Sequence, residues 1–327
     1  MAGASEPEVS VVVASHERPL RLRWLLNALE EQTLPRERWE LVVVHDSGDD
    51  TEELLRSHPL ARAGVLRHVR LPAGTGAPAR QRNVGWREAR AALVAFTDDD
   101  CRPAPGWLES LLRAARAHPG SIVQGRTKPD PHEAEIMDWA PRARSMDVDP
   151  PGPHAQTCNI LYPRELLERV GGLDESFPYP AGEDWDLAAR GRKAGAGYVG
   201  EAGALVYHAV DTFSLVSAMR FNRRWQSLAL VWKRHPEERR VLFWGLFWKR
   251  RHAFLIGAAA GLALAPRRPA LAVVLVLPYL RDAMPYHGGG PLGRARAGVE
   301  LFGRAAVDVS EIWAMVRGSV RHRTLVL

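Results

Sequence analysis

The sequence predicts an α/β fold: a mostly parallel sheet sandwiched by helices, with an α-helical region appended at the C-terminal end. Three observations carry this reading. Short apolar runs alternate with amphipathic segments over the first two-thirds of the chain, the pattern of strands joined by helical crossovers. Three consecutive carboxylates, Asp98, Asp99 and Asp100, follow the apolar run 91–96 directly, so a buried strand ends in concentrated negative charge. From residue 213 onward the composition changes: residues 213–327 hold 19 Lys and Arg against 6 Asp and Glu, a net of +13, whereas residues 1–212 carry −7. The predicted division is therefore 1–212 and 213–327.

Residues 9–14 read as the first strand, and 19–32 as a helix with Leu22, Leu25, Leu26 and Leu29 on one face. The second strand, 41–45, runs into the polar turn Asp46-Ser47-Gly48 at its carboxyl end, where open α/β sheets bind their ligands. A helix over 51–58, a strand over 65–71 and a Gly/Pro loop over 74–78 follow. The next helix, 79–91, carries Arg80, Arg82 and Asn83 in its first turn. The strand 91–96 leads to the aspartates, 105–117 is an amphipathic helix, and 121–125 is a strand. The stretch 126–154, rich in Pro, Asp and Arg, reads as a long functional loop. Strands over 156–162 and 198–208 flank a helix near 185–193.

The second region differs in kind. Residues 215–234 predict a helix, and 241–248 gathers Phe243, Trp244, Phe247 and Trp248 just before Lys249, Arg250 and Arg251. Two apolar runs, 253–265 and 270–280, are separated by Pro266-Arg267-Arg268-Pro269. Each is shorter than the ~20 residues a helix needs to span a bilayer. The expectation is an interfacial or re-entrant hairpin with Trp at headgroup depth and Arg/Lys near the phosphates of an anionic membrane surface. A soluble helical subdomain is the competing reading. Gly288–Gly290 reads as a hinge.

With 46% hydrophobic and 25% charged residues among 327, the chain reads as folded throughout. Cys101 and Cys158 are too few for a disulfide framework, which favours a reducing compartment. Residues 1–9 are polar and give no signal-peptide pattern, so the expected location is cytoplasmic, at the inner face of the cell membrane.

Adjacent carboxylates repel and raise one another's pKa, so an acidic run at a strand end calls for a divalent cation or a set of donors. Mg²⁺ or Mn²⁺ holding a diphosphate is one use. An acidic turn capping the helix near Trp107 is the other.

Four separated segments line up with one family. VSVVVASHERP, LVVVHDSG, ARQRNVGWREARAALVAFTDDDCRPAPGWL, and NILYPRELLERVGGLDESFPYPAGEDWDLAARGRKAG followed by LVYH resemble, in order and spacing, the family 2 glycosyltransferases of the GT-A (nucleotide-diphospho-sugar transferase) fold. The resemblance covers roughly residues 8–208. It implies an inverting, metal-dependent enzyme that moves a sugar from a nucleoside diphosphate sugar to a hydroxyl of a lipid-linked, polysaccharide or glycoconjugate acceptor.

By that resemblance Ala14, Ser15 and Glu17 contact the nucleotide, and Asp46 hydrogen-bonds the base or ribose. Here His45-Asp46-Ser47-Gly48 departs from the family's Asp-Asp-Gly-Ser, leaving the base open; Asp46 also reads as a turn residue closing its loop. Arg80 and Arg82 precede Asn83 as a basic residue and Asn do at the family's helix start, so a guanidinium there would hold phosphate oxygens or pair with the aspartates, a surface ion pair being the competing role, and Arg82 and Asn83 fall on the nucleotide sugar. Asp98 and Asp99 fall on the nucleotide sugar, while Asp100 and His208 fall on the metal. Asp184 is the implied catalytic base and Glu183 its acceptor or donor contact. Asp186 reads as a helix cap, and Trp185 as a sugar platform or a packing residue.

Two other readings compete. A sugar-phosphate nucleotidyltransferase of related fold would want a Gly-rich basic loop after the first strand, where Ser15-His16-Glu17-Arg18-Pro19 stands instead. Nucleic-acid binding through the basic tail would leave its long apolar runs without a use, so no nucleic-acid partner is expected.

Overall fold

The computed structural model describes residues 6–285 and 290–327, so Gly288 and Gly289 of the expected hinge lie outside the described residues. The chain forms two compact units: residues 1–176 with 182–211, and residues 177–181 with 212–327.

The first unit is built on an eight-stranded sheet. Its elements are β1 (Val9–Ser15), α1 (Pro19–Glu30), β2 (Trp39–His45), α2 (Thr51–Ser57), β3 (Leu66–Arg70), α3 (Pro78–Glu88), β4 (Leu93–Asp98), β5 (Cys101–Pro103), α4 (Trp107–Ala117), β6 (Ile122–Pro129), α5 (Ala134–Trp139), β7 (Asn159–Pro163), α6 (Arg164–Val170), α7 (Glu183–Lys193) and β8 (Tyr198–His208). The strand order is β3-β2-β1-β4-β7-β6-β8-β5. The strands β3, β2, β1 and β4 run parallel, β7 is antiparallel to both its neighbours, and β5 pairs antiparallel with β8.

The central strands are apolar on both sides because helices cover both faces. Val11, Val13, Leu41 and Val43 pack with Leu22, Leu25, Leu26 and Leu29 of α1 and Trp107, Leu108 and Leu111 of α4. Val12, Val44 and Phe96 pack on the other face with Trp86, Tyr162, Leu166 and Leu187.

Four expectations are corrected. The strand before the aspartates is Leu93–Asp98, not 91–96. Side chains hold the preceding amides out of the ladder: Arg90 N–H donates to Glu40 Oε1 and Ala91 N–H to Ser10 Oγ, at 2.6 and 3.0 Å. The stretch 126–154 is not all loop. After a register shift at Gly125/Arg126, β6 continues to Pro129 because the long strand β8 offers it a parallel partner, and α5 follows. The helix expected over 215–234 is broken at Asn222, whose side chain accepts from Trp225 Nε1 and donates to Ser310 Oγ and Val307 O. Asp186 does not cap its helix: Gly182 occupies the N-cap with a left-handed φ of 94°, and Asp186 pairs with Arg190 Nε at 2.8 Å.

The second unit contains α8 (Leu215–Phe221), α9 (Leu228–Arg234), α10 (Arg250–Leu264), α11 (Pro269–Ala283) and α12 (Pro291–His322). The two apolar runs form the α10/α11 pair, clamped at one end by ion pairs: Arg250 and Arg251 to Asp282, Lys249 to Glu311 and Arg251 to Asp308. Burial alone would raise the Glu311 pKa, but hydrogen bonding from His252 and the Lys249 charge hold it at about 2. Away from that clamp Leu262, Leu264, Val273 and Val274 are exposed. Among the described residues, no helix is long and apolar enough to cross a membrane.

Candidate active site

The parallel register sets the site by bringing the ends of three strands level: Ser15 pairs with His45 and Ala14 with Asp98. Side chains beyond those positions project from one edge of the sheet.

Asp98 closes β4. Its Oδ1 accepts from Nη2 of Arg82, buried in the first turns of α3, at 2.5 Å. Arg82 Nη1 lies 3.8 Å from Glu183 Oε1 in the first turn of α7. Burial works against the Arg82 charge, yet the facing carboxylates of Asp98 and Glu183 raise its pKa above the ordinary value. One guanidinium thus joins the aspartate run to the acidic helix start. Beside Glu183, Asp184 accepts at 2.8 Å from the N–H of Trp185. Burial, followed by the negative charge of Glu183, raises the Asp184 pKa well above the usual carboxylate range.

Asp99 points into the protein. It accepts from Ser15 Oγ at 2.8 Å and from the His16 N–H at 3.4 Å, and burial together with Asp100 raises its pKa to about 7. Asp100 turns the other way, with Oδ2 2.6 Å from Arg18 Nη1. Its Oδ1 is buried and has no hydrogen-bond partner among the described residues. His208 ends β8, opposite Cys101, and its Nε2 lies 3.6 Å from that Oδ1. His208 Nδ1 contacts the Ala209 carbonyl at 2.8 Å. A carbonyl only accepts, so Nδ1 donates to it and Nε2 is the ring nitrogen that faces Asp100.

A carboxylate oxygen and an imidazole nitrogen, both common ligand atoms, face each other there, and the ligand atoms of Asp100, Cys101 and His208 all lie within 4.8 Å of one another, a spacing that fits a divalent cation. Cys101 is the poor member, since burial pushes its thiol pKa up and keeps it neutral.

Asp46 is buried at the end of β2. His16 Nδ1 and Gln81 Nε2 meet its Oδ1 at 2.8 and 3.1 Å, and the Gly76 N–H meets Oδ2 at 3.0 Å. Burial opposes its charge, but these hydrogen bonds hold the carboxyl below its usual range. Asp46 therefore closes the loop over 74–78. Ala14 lies in the ladder, and the exposed Glu17 takes a φ of 50° with its N–H on Ser47 Oγ.

Asn83 is drawn away from a ligand role. Its amide donates to Leu173 O and Glu175 Oε1 and accepts from Trp86 Nε1 and the Leu173 N–H, which saturates it. Arg80 is exposed, on Thr75 O. Trp185 is buried against the His154 ring at 4.7 Å, a packing residue. Arg18 and Gln81 were not anticipated. The signal for Arg18 was its place between a strand end and Pro19 at the start of a helix.

Residues 10–171, about half of the chain, match the profile of Glycosyl transferase family 2. The chain belongs to glycosyltransferase family 2. This family 2 chain is 30% identical over 221 residues to the pre-mycofactocin glycosyltransferase of Mycobacterium tuberculosis, covering 63% of this chain and 44% of that protein. It is 29% identical over 225 residues to the validoxylamine A glucosyltransferase of Streptomyces hygroscopicus subsp. jinggangensis, covering 58% of this chain and 53% of that protein. It thus spans about half the length of the curated relatives it matches. Among solved structures, a mannosyltransferase from Pyrobaculum calidifontis in complex with GDP-Man and Mn²⁺ superposes with a TM-score of 0.63 at 22% identity, covering 94% of this chain and 88% of that one. That likeness concerns the fold, which is GT-A.

Proposed function

We propose that this chain is an inverting, metal-dependent glycosyltransferase that moves a sugar from a nucleoside diphosphate sugar to a hydroxyl of a lipid-linked or polysaccharide acceptor. The observation that carries this reading is Arg82, which meets Asp98 of the aspartate run and Glu183 of the acidic helix start in one contact chain.

In an inverting transfer the acceptor oxygen attacks the anomeric carbon as the bond to the diphosphate oxygen breaks, and the hydroxyl proton goes to a base. Asp184 is that base. Its raised proton affinity, set by burial and Glu183, suits proton acceptance near neutral pH. Glu183 contacts the acceptor and shares the Arg82 cation with Asp98. Ala14, Ser15, Glu17 and Asp46 line the nucleotide end. Asp100 and His208 would hold Mg²⁺ or Mn²⁺, which when bound supplies positive charge against the departing diphosphate. The family match favours glycosyl transfer over nucleotidyl transfer.

The same reading takes the helical unit to an anionic membrane surface on the cytoplasmic side. Support comes from its +13 charge and from its exposed Leu262, Val273, Val274, Leu292, Val299 and Phe302. The sheet unit exposes only Leu20, Trp24, Met137 and Trp139 among large apolar side chains of its described residues.

The test is binding and slow hydrolysis of UDP-, GDP- and dTDP-sugars with Mn²⁺ or Mg²⁺, for wild type, Asp100→Ala and Asp184→Asn. One donor should bind with metal, Asp100→Ala should lose it, and Asp184→Asn should bind it without turnover. Turnover retained in Asp184→Asn would sink the assignment of the base.

A further inference from the structure

Within the helical unit, a hollow of about 530 Å³ opens where α8 and the turn after it meet the C-terminal half of α12. Arg220, Arg223 and Arg317 line it together with Val216, Met219 and Trp313. None of these three guanidinium groups meets a carboxylate among the described residues. In the same unit Arg250 and Arg251 are on Asp282 and Lys249 is on Glu311, while Arg267, Arg268 and Arg281 also meet no carboxylate among the described residues; what marks Arg220, Arg223 and Arg317 is the hollow they share. Three like charges around one hollow repel one another, and an anion relieves that repulsion. Guanidinium forks match phosphate oxygens in particular.

The rim has the opposite character. Val216, Met219 and Trp313 are all exposed, and Trp313 continues along α12 into the exposed Val309 and Phe302 on one side and Val320 on the other. A wholly polar anion leaves that stripe in water. A phosphate carrying a hydrocarbon chain covers both. The floor is firm: Asn222 is bonded to Ser310 Oγ at 2.8 Å, and Gly318 lies so close to the chain that a Cβ there would stand 2.4 Å from Gln226 O. A second copy of this unit would bring like charge to like charge.

We propose that this hollow binds the phosphate head of a lipid, with the three arginines on the phosphate and the apolar rim against the first part of the chain. The inference rests on the membrane reading of the helical unit given above.

The test uses the full-length chain, floated with phosphatidylcholine vesicles with and without phosphatidic acid. Wild type should bind the anionic vesicles. Arg220→Gln/Arg223→Gln/Arg317→Gln should bind on the order of 100-fold more weakly, since three charge-assisted contacts to one phosphate are lost together. The charge-matched Arg294→Gln/Arg321→Gln/Arg323→Gln, exposed arginines of the same unit outside the hollow, should bind within a few-fold of wild type, and both should keep the wild-type unfolding transition. Met219→Ser/Trp313→Ser should weaken vesicle binding while leaving thermal protection by inorganic phosphate unchanged. Equal loss in the two arginine triples would overturn the hollow as a site in favour of diffuse charge. Protection by inorganic phosphate with no preference for vesicles would overturn the lipid. Failure of wild type to bind any vesicle would remove the membrane reading as well, whereas binding that is indifferent to the Arg220/Arg223/Arg317 triple removes only this inference.

Discussion

Asp100 Oδ1 and His208 Nε2 face each other 3.6 Å apart, although 108 positions separate them in sequence. The antiparallel pairing of β5 with β8 puts Cys101 opposite His208, so the residue before one strand meets the last residue of the other. Since Asp100 Oδ1 has no hydrogen-bond partner among the described residues and the Nδ1 proton is on Ala209 O, the gap suits a cation.

Mn²⁺ should therefore stabilise the wild-type fold, by about 2.7 kcal/mol at a hundredfold excess over its Kd. Asp100→Ala and His208→Ala should lose the metal-induced rise in Tm while still folding. An unchanged metal effect in both variants would move the ion elsewhere.

The pH dependence of kcat/KM should follow Asp184. A base must be ionised to accept a proton, so activity should rise with pH through its raised pKa and be lost below it. The groups acting on it are Glu183 and Asp98, which raise the pKa, and Arg82, which lowers it. Glu183→Gln removes the largest neighbouring charge and should move the acid limb of the profile to lower pH. An acid limb that stays in place would assign it to another group.

Arg82→Ala should both destabilise the fold and abolish donor binding. It leaves Asp98 and the buried Glu183 without their shared cation, a loss of about 3 kcal/mol by analogy with broken buried pairs. Arg82→Lys keeps the charge but cannot reach both carboxylates with two nitrogens, so it should recover stability better than activity. Chemical denaturation alongside donor titration separates the two effects.

Gly172→Ala should cost about 1–3 kcal/mol. Gly172 has a φ of 72°, and a Cβ there would stand 2.5 Å from Asn83 Oδ1, inside the network that pins residues 173–175 to α3. If stability is unchanged, that network is not what holds the segment.

Much of the candidate site's placement in the fold was legible because its residues sit in short motifs. Asp98, Asp100, Glu183, Asp184 and His208 each follow an apolar run or open a helix, so their place at one edge of the sheet follows from strand and helix periodicity. Asn83 shows where such reading stops. Its position at the start of α3 is right for a ligand contact, but its amide is saturated by Leu173, Glu175 and Trp86, about 90 residues away in the first two cases. Asp99 is a second case: one position along the turn, the carboxylate reverses direction and meets Ser15 Oγ. Arg18 reaches Asp100 across 82 positions, a partnership no local pattern encodes.

By itself the sequence determined the two-sided burial of β1, β2 and β4, the leucine face of α1, the acidic edge, and the change of composition at the helical unit. These depend on local periodicity and on the tally of charges. Only the tertiary structure decided the antiparallel insertion of β7, the extension of β6 along β8, and which carboxylate meets which cation. Strand register and side-chain direction are set by partners far away in the chain, and a shift of one residue turns every side chain to the opposite face.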